Sequence, residues 1–238
     1  VNGAMLRRQI DEATIERADA LDKKVTMTQR LKELDGRIDE VTGPLLDPVL
    51  RPLWGAYASL VLARTERGPL NLDLPERKIL LDDKGRVRGV ASPPRLDAHR
   101  LIEEFMIAAN VAAAETLEAK RSPLIYRVHD SPSKEKLASL GEFLSTIGIK
   151  LPKSGTLKPA QFNRILAETR ATPTAELVGE VILRSQAQAE YSPGNFGHFG
   201  LNLRKYAHFT SPIRRYADLI VHRALVRALG VGTDGLTD

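Results

Sequence analysis

The chain has 238 residues, of which 42% are hydrophobic, 27% charged and only 5% aromatic, with a formal net charge of +5. That length is enough to bury a substantial core, and the low aromatic content points to an aliphatic, alanine-rich helical interior rather than a β-sandwich. The charge permits a polyanionic partner without demanding one. The absence of cysteine excludes disulfides, thiolate metal sites and cysteine nucleophiles. No apolar run approaches the roughly 20 residues of a membrane span, and the first residues are too charged for a secretory h-region. A cytoplasmic location is the expectation.

Taken in chain order, residues 6–24 read as a polar helix with too few apolar positions for a core face. In "TMTQRLKELDG", Thr26 and Gln29 fit a capping box and Gly36 fits a stop. Asp47-Pro48 opens a helix that ends near Gly68, with Pro52 in its first turn. Residues 77–91 read as a hairpin around Asp82, Asp83, Lys84 and Gly85, which makes the two aspartates turn residues rather than metal ligands.

Asp97 caps a helix over 98–120, whose "AANVAAAETLEA" offers small side chains for close packing. A short strand is expected at 124–128, and a helix from Ser131-Pro132 to a stop at Gly148. A polar linker covers 150–157, and helices follow at 159–170 and 174–189. The glycine-rich "YSPGNFGHFGLN" then leads into "YAHFTSPIRRYADLIVHRAL". The fold class is α+β and predominantly helical, with strands too few to make an independent sheet.

Ser211 suits an N-cap and Pro212 the first helical position, so the last helix is predicted from there to about Leu229. Its apolar stripe would be Ile213, Ala217, Ile220, Ala224 and Ala228. Arg214 and Arg215 then fall in the first turn, where the helix dipole disfavours cations. An anion such as a phosphate would relieve that repulsion and use both guanidinium forks. The alternative pairs Arg214 with Asp218 one turn on and leaves Arg215 in solvent. Tyr206, His208 and Phe209 either stack bases or pack beneath the turn. His198, His208 and His222 lack metal-site spacing, so no zinc is expected.

The stretch "HFGLNLRKYAHFTSPIRRYADLIVHRAL" closely resembles the signature of the RNB family, the catalytic domain of ribonuclease II- and ribonuclease R-type exoribonucleases. "ERGPLNLDLPE", "RLIEEFMIAANVAAAE", "YRVHDSPSKEKL" and "LRSQAQAEYSPGNFGHFG" resemble further family segments in the same order. The likeness covers residues 36–230 as the C-terminal portion of an RNB domain, with residues 1–35 an arm of uncertain match and 231–238 a tail.

The resemblance implies a processive hydrolytic 3′-to-5′ exoribonuclease that releases nucleoside 5′-monophosphates from single-stranded RNA. Magnesium would activate the attacking water and stabilise the leaving oxygen. On matching positions, Arg214 would contact the scissile phosphate as the catalytic residue. Glu104 would contact the terminal ribose, where a 2′-hydroxyl marks RNA; its alternative is a solvated helix glutamate. Arg184, Tyr206, His208, Thr210, Ser211 and Arg215 would line the RNA channel. Leu72 stands where the family carries a base-stacking phenylalanine.

The closely spaced aspartates that hold magnesium in the family match nothing in this chain, nor do its flanking OB domains. No metal ligand is therefore expected here, and the chain alone is expected to be inactive, with self-association through apolar surface left behind. A non-catalytic RNA-binding module derived from an RNB domain is the competing reading. A helical protein-binding adaptor is a third, and it leaves the Thr-Ser-Pro-Ile-Arg-Arg corner unexplained.

Overall fold

The computed structural model describes residues 38–72, 77–93, 95–151 and 157–237. The arm before residue 38 and the linker at 152–156 therefore lie outside the described residues, as do the capping box at Thr26 and the stop at Gly36. The chain divides into two compact units, Val1–Leu62 and Ala63–Asp238.

In the first unit, π-helical turns at Ile38–Thr42 and Leu46–Leu50 flank a short α-turn, Gly43–Leu45. Helix α1, Arg51–Arg67, follows and runs on past the boundary between the units. Pro52 sits in its first turn as expected, where its missing N–H is not needed.

In the second unit, β1 (Lys78–Leu81) and β2 (Val87–Ala91) form the expected hairpin, antiparallel with Lys78 opposite Ala91. Asp82 makes the turn, as its side chain accepts from the backbone N–H groups of Lys84 (2.9 Å) and Arg86 (2.8 Å). Helix α2 (Asp97–Ala119) comes next. Asp97 is its first helical residue rather than its cap; Leu96 holds the cap position, with its N–H donating to His99 Nδ1 at 3.1 Å. Strand β3 (Tyr126–Val128) pairs antiparallel with β4 (Glu190–Ser192).

Helix α3 spans Lys134–Thr146, and its cap is Ser133, whose hydroxyl accepts from Lys136 N at 3.3 Å. It begins two residues beyond Ser131-Pro132 because the Ser133 hydroxyl supplies that acceptor, while the Ser131 N–H and hydroxyl are both engaged by Asp130 Oδ1. Gly148 then reverses the chain at φ +78°. Helix α4 spans Pro159–Thr169 and α5 spans Ala175–Ser185. The helix predicted to residue 189 ends at Ser185. Gln186 turns extended, its carbonyl takes the Lys136 ammonium at 2.5 Å, and the chain feeds β4. Helix α6 (Tyr216–Leu229) closes the fold.

Two aliphatic cores hold the unit together. Leu140, Leu144, Phe162, Ile165, Val178 and Ile182 from α3, α4 and α5 make the first. Ala113, Ala114 and Leu117 of α2 meet Ala207, Val221 and Ala224 in the second. The small residues of α2 therefore do what small residues do between helices, letting the α6 backbone approach closely.

Between these cores runs a column of rings: His129, His198, Tyr206, His208 and Tyr191, with successive centroids 5.0, 5.2, 5.8 and 5.6 Å apart. Gly200 is required here. Its N–H donates to His129 Nδ1 at 2.9 Å, and a Cβ at residue 200 would meet that same atom at 2.9 Å. With Nδ1 accepting, His129 Nε2 donates to the Ala187 carbonyl, also at 2.9 Å.

Burial pushes His198 down to about 3, helped by the neighbouring His129, and pushes His208 down to about 4, helped by Arg215. The rings are therefore uncharged fillers at neutral pH. A histidine whose folded pKa is depressed stabilises the fold above its unfolded value near 6.5 and loses that contribution as pH falls through its folded value. The melting temperature, followed by circular dichroism, should fall as pH is lowered from about 6.5 to about 4, and His198→Asn should flatten that dependence. Phe162, 0% exposed in the first core, should cost about 3–5 kcal/mol on substitution by alanine, measured by urea unfolding.

Candidate nucleic-acid interface

The predicted corner exists, but it is built differently from the sequence expectation. Helix α6 starts at Tyr216, four residues later than Pro212. Residues 211–214 form a turn in which the Ser211 carbonyl accepts from Arg214 N (3.3 Å) and Arg215 N (3.1 Å). Arg215 holds the cap position in an extended conformation, φ −129°.

The cause is Asp218, which lies in the first turn of α6 and is completely buried. Its Oδ1 accepts from Ser211 N and from Arg215 Nη2, and its Oδ2 accepts from Arg215 Nε, all at 2.8 Å. Burial alone would raise the Asp218 pKa, but the Arg215 guanidinium and the Ser211 N–H outweigh it and hold the carboxyl below its usual value. Its partner responds in kind, because the hydrogen bond to Asp218 raises the Arg215 pKa.

Asp218 also takes the core-facing position of the first turn, so the buried stripe is Asp218, Val221 and Ala224. Ile213, expected on that stripe, is 98% exposed because it belongs to the turn and not the helix. The ion-pair alternative of the sequence is thus inverted. Arg215, not Arg214, grips Asp218. Arg214 is exposed, touches the Ser211 hydroxyl at 3.5 Å, and meets no carboxylate among the described residues. Ile213 and Tyr216, close to it in the chain, are exposed as well.

Tyr206 packs beneath this turn. It is 8% exposed, and its hydroxyl accepts from Asn110 Nδ2 at 2.9 Å while Asn110 Oδ1 accepts from Phe209 N at 2.9 Å. Phe209 stacks on His222 at 4.2 Å, and His222 Nε2 donates to the Phe209 carbonyl. His208 lies between Tyr206 and Tyr191, and its Nδ1 is 2.9 Å from the Tyr191 hydroxyl. Thr210 keeps a buried hydroxyl with no hydrogen-bond partner among the described residues. The structure thus gathers Tyr206, His208, Thr210, Ser211, Arg214 and Arg215 around one turn. Arg184 is exposed on the last turn of α5, 3.7 Å from Glu180, and none of its polar contacts among the described residues reaches the corner.

Glu104 corrects the picture of a solvated helix glutamate. It is 4% exposed, bonded to Arg64 Nη1 at 2.5 Å and 3.6 Å from Arg67 Nη2. Arg64 also bonds Asn71 Oδ1 at 2.8 Å, next to Leu72. Leu72 lines a cavity of about 600 Å³ with Leu70, His129, Lys136, Gln186 and His198. Among the described residues no three His, Cys, Asp or Glu side chains converge as a metal site. Sequence reasoning missed Arg64 and Arg67, whose helix spacing carried no motif. It also missed Arg127 and Tyr191, which only the β3–β4 pairing brings together.

The family model for the RNB domain matches residues 2–230, reaching further toward the start of the chain than the motifs did. The chain is 44% identical over 185 residues to ribonuclease R of Aquifex aeolicus (strain VF5), covering 78% of this chain and 26% of that protein. It superposes on the apo form of Mycoplasma genitalium RNase R with a TM-score of 0.71 at 33% identity, covering 78% of this chain and 30% of that one. The same enzyme solved with ribose-methylated single-stranded RNA gives a TM-score of 0.70 at 32% identity, with the same coverage. The chain thus spans about a quarter to a third of the length of the proteins it matches. A mostly helical unit with two small antiparallel pairs, carrying the Thr-Ser-Pro-Ile-Arg-Arg turn on a buried aspartate, belongs to the RNB domain family.

Proposed function

We propose that this chain supplies the RNA-gripping part of a processive 3′-to-5′ hydrolytic exoribonuclease of the cytoplasm, acting on single-stranded RNA and releasing nucleoside 5′-monophosphates. The observation that carries this reading is the division of labour between two adjacent arginines. Arg215 is fixed by a buried carboxylate, while Arg214 stands unpaired by any carboxylate among the described residues. A guanidinium fork held by a rigid turn suits a phosphate, since its paired N–H donors can bond two oxygens of the tetrahedral group and its charge faces solvent. The solved RNase R with single-stranded RNA supports the choice of ligand.

In this reading Arg214 contacts the non-bridging oxygens of the scissile phosphate and stabilises the charge that develops as the P–O bond breaks. The Arg215–Asp218 pair orients that turn without touching RNA. Glu104 accepts from a hydroxyl of the terminal ribose. Magnesium, where bound, would activate the attacking water. The exposed Ile79, Leu81, Val87 and Val90 of the hairpin are the surface on which self-association would act.

Fluorescence anisotropy with a labelled single-stranded RNA tests the carrying claim. Arg214→Ala should weaken binding about tenfold and lower the slope of log K against log salt by about one. Binding equal to wild type would overturn the reading. Arg215→Ala should instead destabilise the fold by about 3 kcal/mol in urea unfolding, because it strands a buried charge. Incubated with poly(A) and magnesium, the 238-residue chain should release no mononucleotides; their appearance would show that it needs no further residues for catalysis.

A further inference from the structure

The register of β3 and β4 sets Arg127 directly opposite Tyr191. The guanidinium carbon of Arg127 lies 4.8 Å from the centre of the Tyr191 ring. Tyr191 is 43% exposed, yet it is not loose, because its hydroxyl is held 2.9 Å from His208 Nδ1 and its ring packs edge-to-face with the His208 ring. Arg127 is anchored as well, through a backbone N–H that donates to the Tyr206 carbonyl at 2.9 Å. Among the described residues its guanidinium meets no carboxylate.

We infer that the Arg127–Tyr191 pair is a stacking platform for an unpaired RNA base, set beside the Arg214 corner on the path of the same strand. This rests on the RNA-binding reading above. A ring with one end pinned and part of its surface open loses little freedom when a base stacks on it, and the guanidinium over the ring adds a second flat cationic surface. Every base has a π-face, so such a contact tolerates any sequence, as a degradative enzyme needs.

Continuity with the corner is visible at His208. That imidazole bonds Tyr191 on one side, and the charges of Arg215, Arg127 and Arg214 all bear on it. Among the described residues only Arg215 of those three cations is offset by a carboxylate, Asp218. The platform and the corner therefore form one patch with one part-exposed aromatic ring and two guanidinium groups that meet no carboxylate among the described residues. That is the combination of phosphate tracking and base stacking that single-strand binding uses.

The test uses the 238-residue chain in magnesium-free buffer with a labelled oligouridylate, read by anisotropy. Tyr191→Ala should weaken binding about tenfold with an unchanged salt slope, since stacking releases no counterions. Arg214→Ala should lower the slope. Independently, the unsubstituted chain irradiated with RNA carrying 5-iodouridine should yield an adduct that mass spectrometry maps to Tyr191; this decides the matter if the alanine variant does not fold. Wild-type affinity in Tyr191→Ala, or bound RNA that forms no adduct at Tyr191, overturns the platform while an Arg214→Ala defect leaves the RNA reading standing. Loss of neither affinity nor slope in either variant overturns both.

Discussion

A buried carboxylate that must be satisfied organises this part of the molecule. Asp218 has no exposure, so every lone pair it keeps has to find a donor within the protein. It finds one backbone N–H and two guanidinium N–H groups, and those three bonds bend the chain from residue 211 to 215 into a turn instead of a helix. Everything functional at the corner follows from that geometry. Arg215 is drawn inward, Arg214 is turned out, and Ile213 is lifted from the core-facing stripe into solvent. A buried ion pair of this kind contributes little net stability compared with apolar packing, so its presence makes more sense as a device for fixing one conformation. The object being fixed is the direction of a single guanidinium.

Much of this was legible in the residues themselves. The hairpin turn was readable because Asp82 has short-range partners, and Gly148 because a left-handed position follows a helix. The small residues of α2 announced a close helix neighbour, which α6 proved to be. The corner was placed correctly and built wrongly. Ser-Pro is a strong local signal for a helix start, but a buried aspartate seven residues on outbids it. Periodicity counts apolar side chains and has no way to register that a carboxylate occupies a core position. The end of α5 was misplaced for a related reason. Gln186–Ala189 has ordinary helix propensity, and the Lys136 and His129 contacts together with the pairing of β4 with β3 pull it straight.

Residues that act at a distance in sequence were invisible in principle. Arg127 and Tyr191 are separated by helices α3, α4 and α5, and nothing in either neighbourhood names the other. Glu104 reads as one of two adjacent glutamates on a helix, and its distinction from Glu103 is that Arg64 and Arg67 reach it from α1. Both cases turn on which face an element presents once packed. Local propensity is silent on that point, so resemblance to a family or the three-dimensional arrangement must supply it.

The ring column explains how three arginines can share so small a neighbourhood. Guanidinium groups set around a charged imidazole would repel it, and the repulsion would grow as water was excluded. Burial instead keeps His198 and His208 uncharged at neutral pH, so the column presents flat, polarisable, neutral surfaces to the cations. It also ties the two aliphatic cores to the corner, since His129 is bonded to Ala187 after α5 and Tyr206 to Asn110 of α2. The cations are then free to aim outward, with Asp218 offsetting only the one whose task is structural. A charge left uncompensated at a rigid turn costs the folded protein something, and an approaching phosphate recovers that cost. On the RNA-binding reading, affinity for an anionic strand is stored in the fold at the turn where Arg214 meets no carboxylate among the described residues.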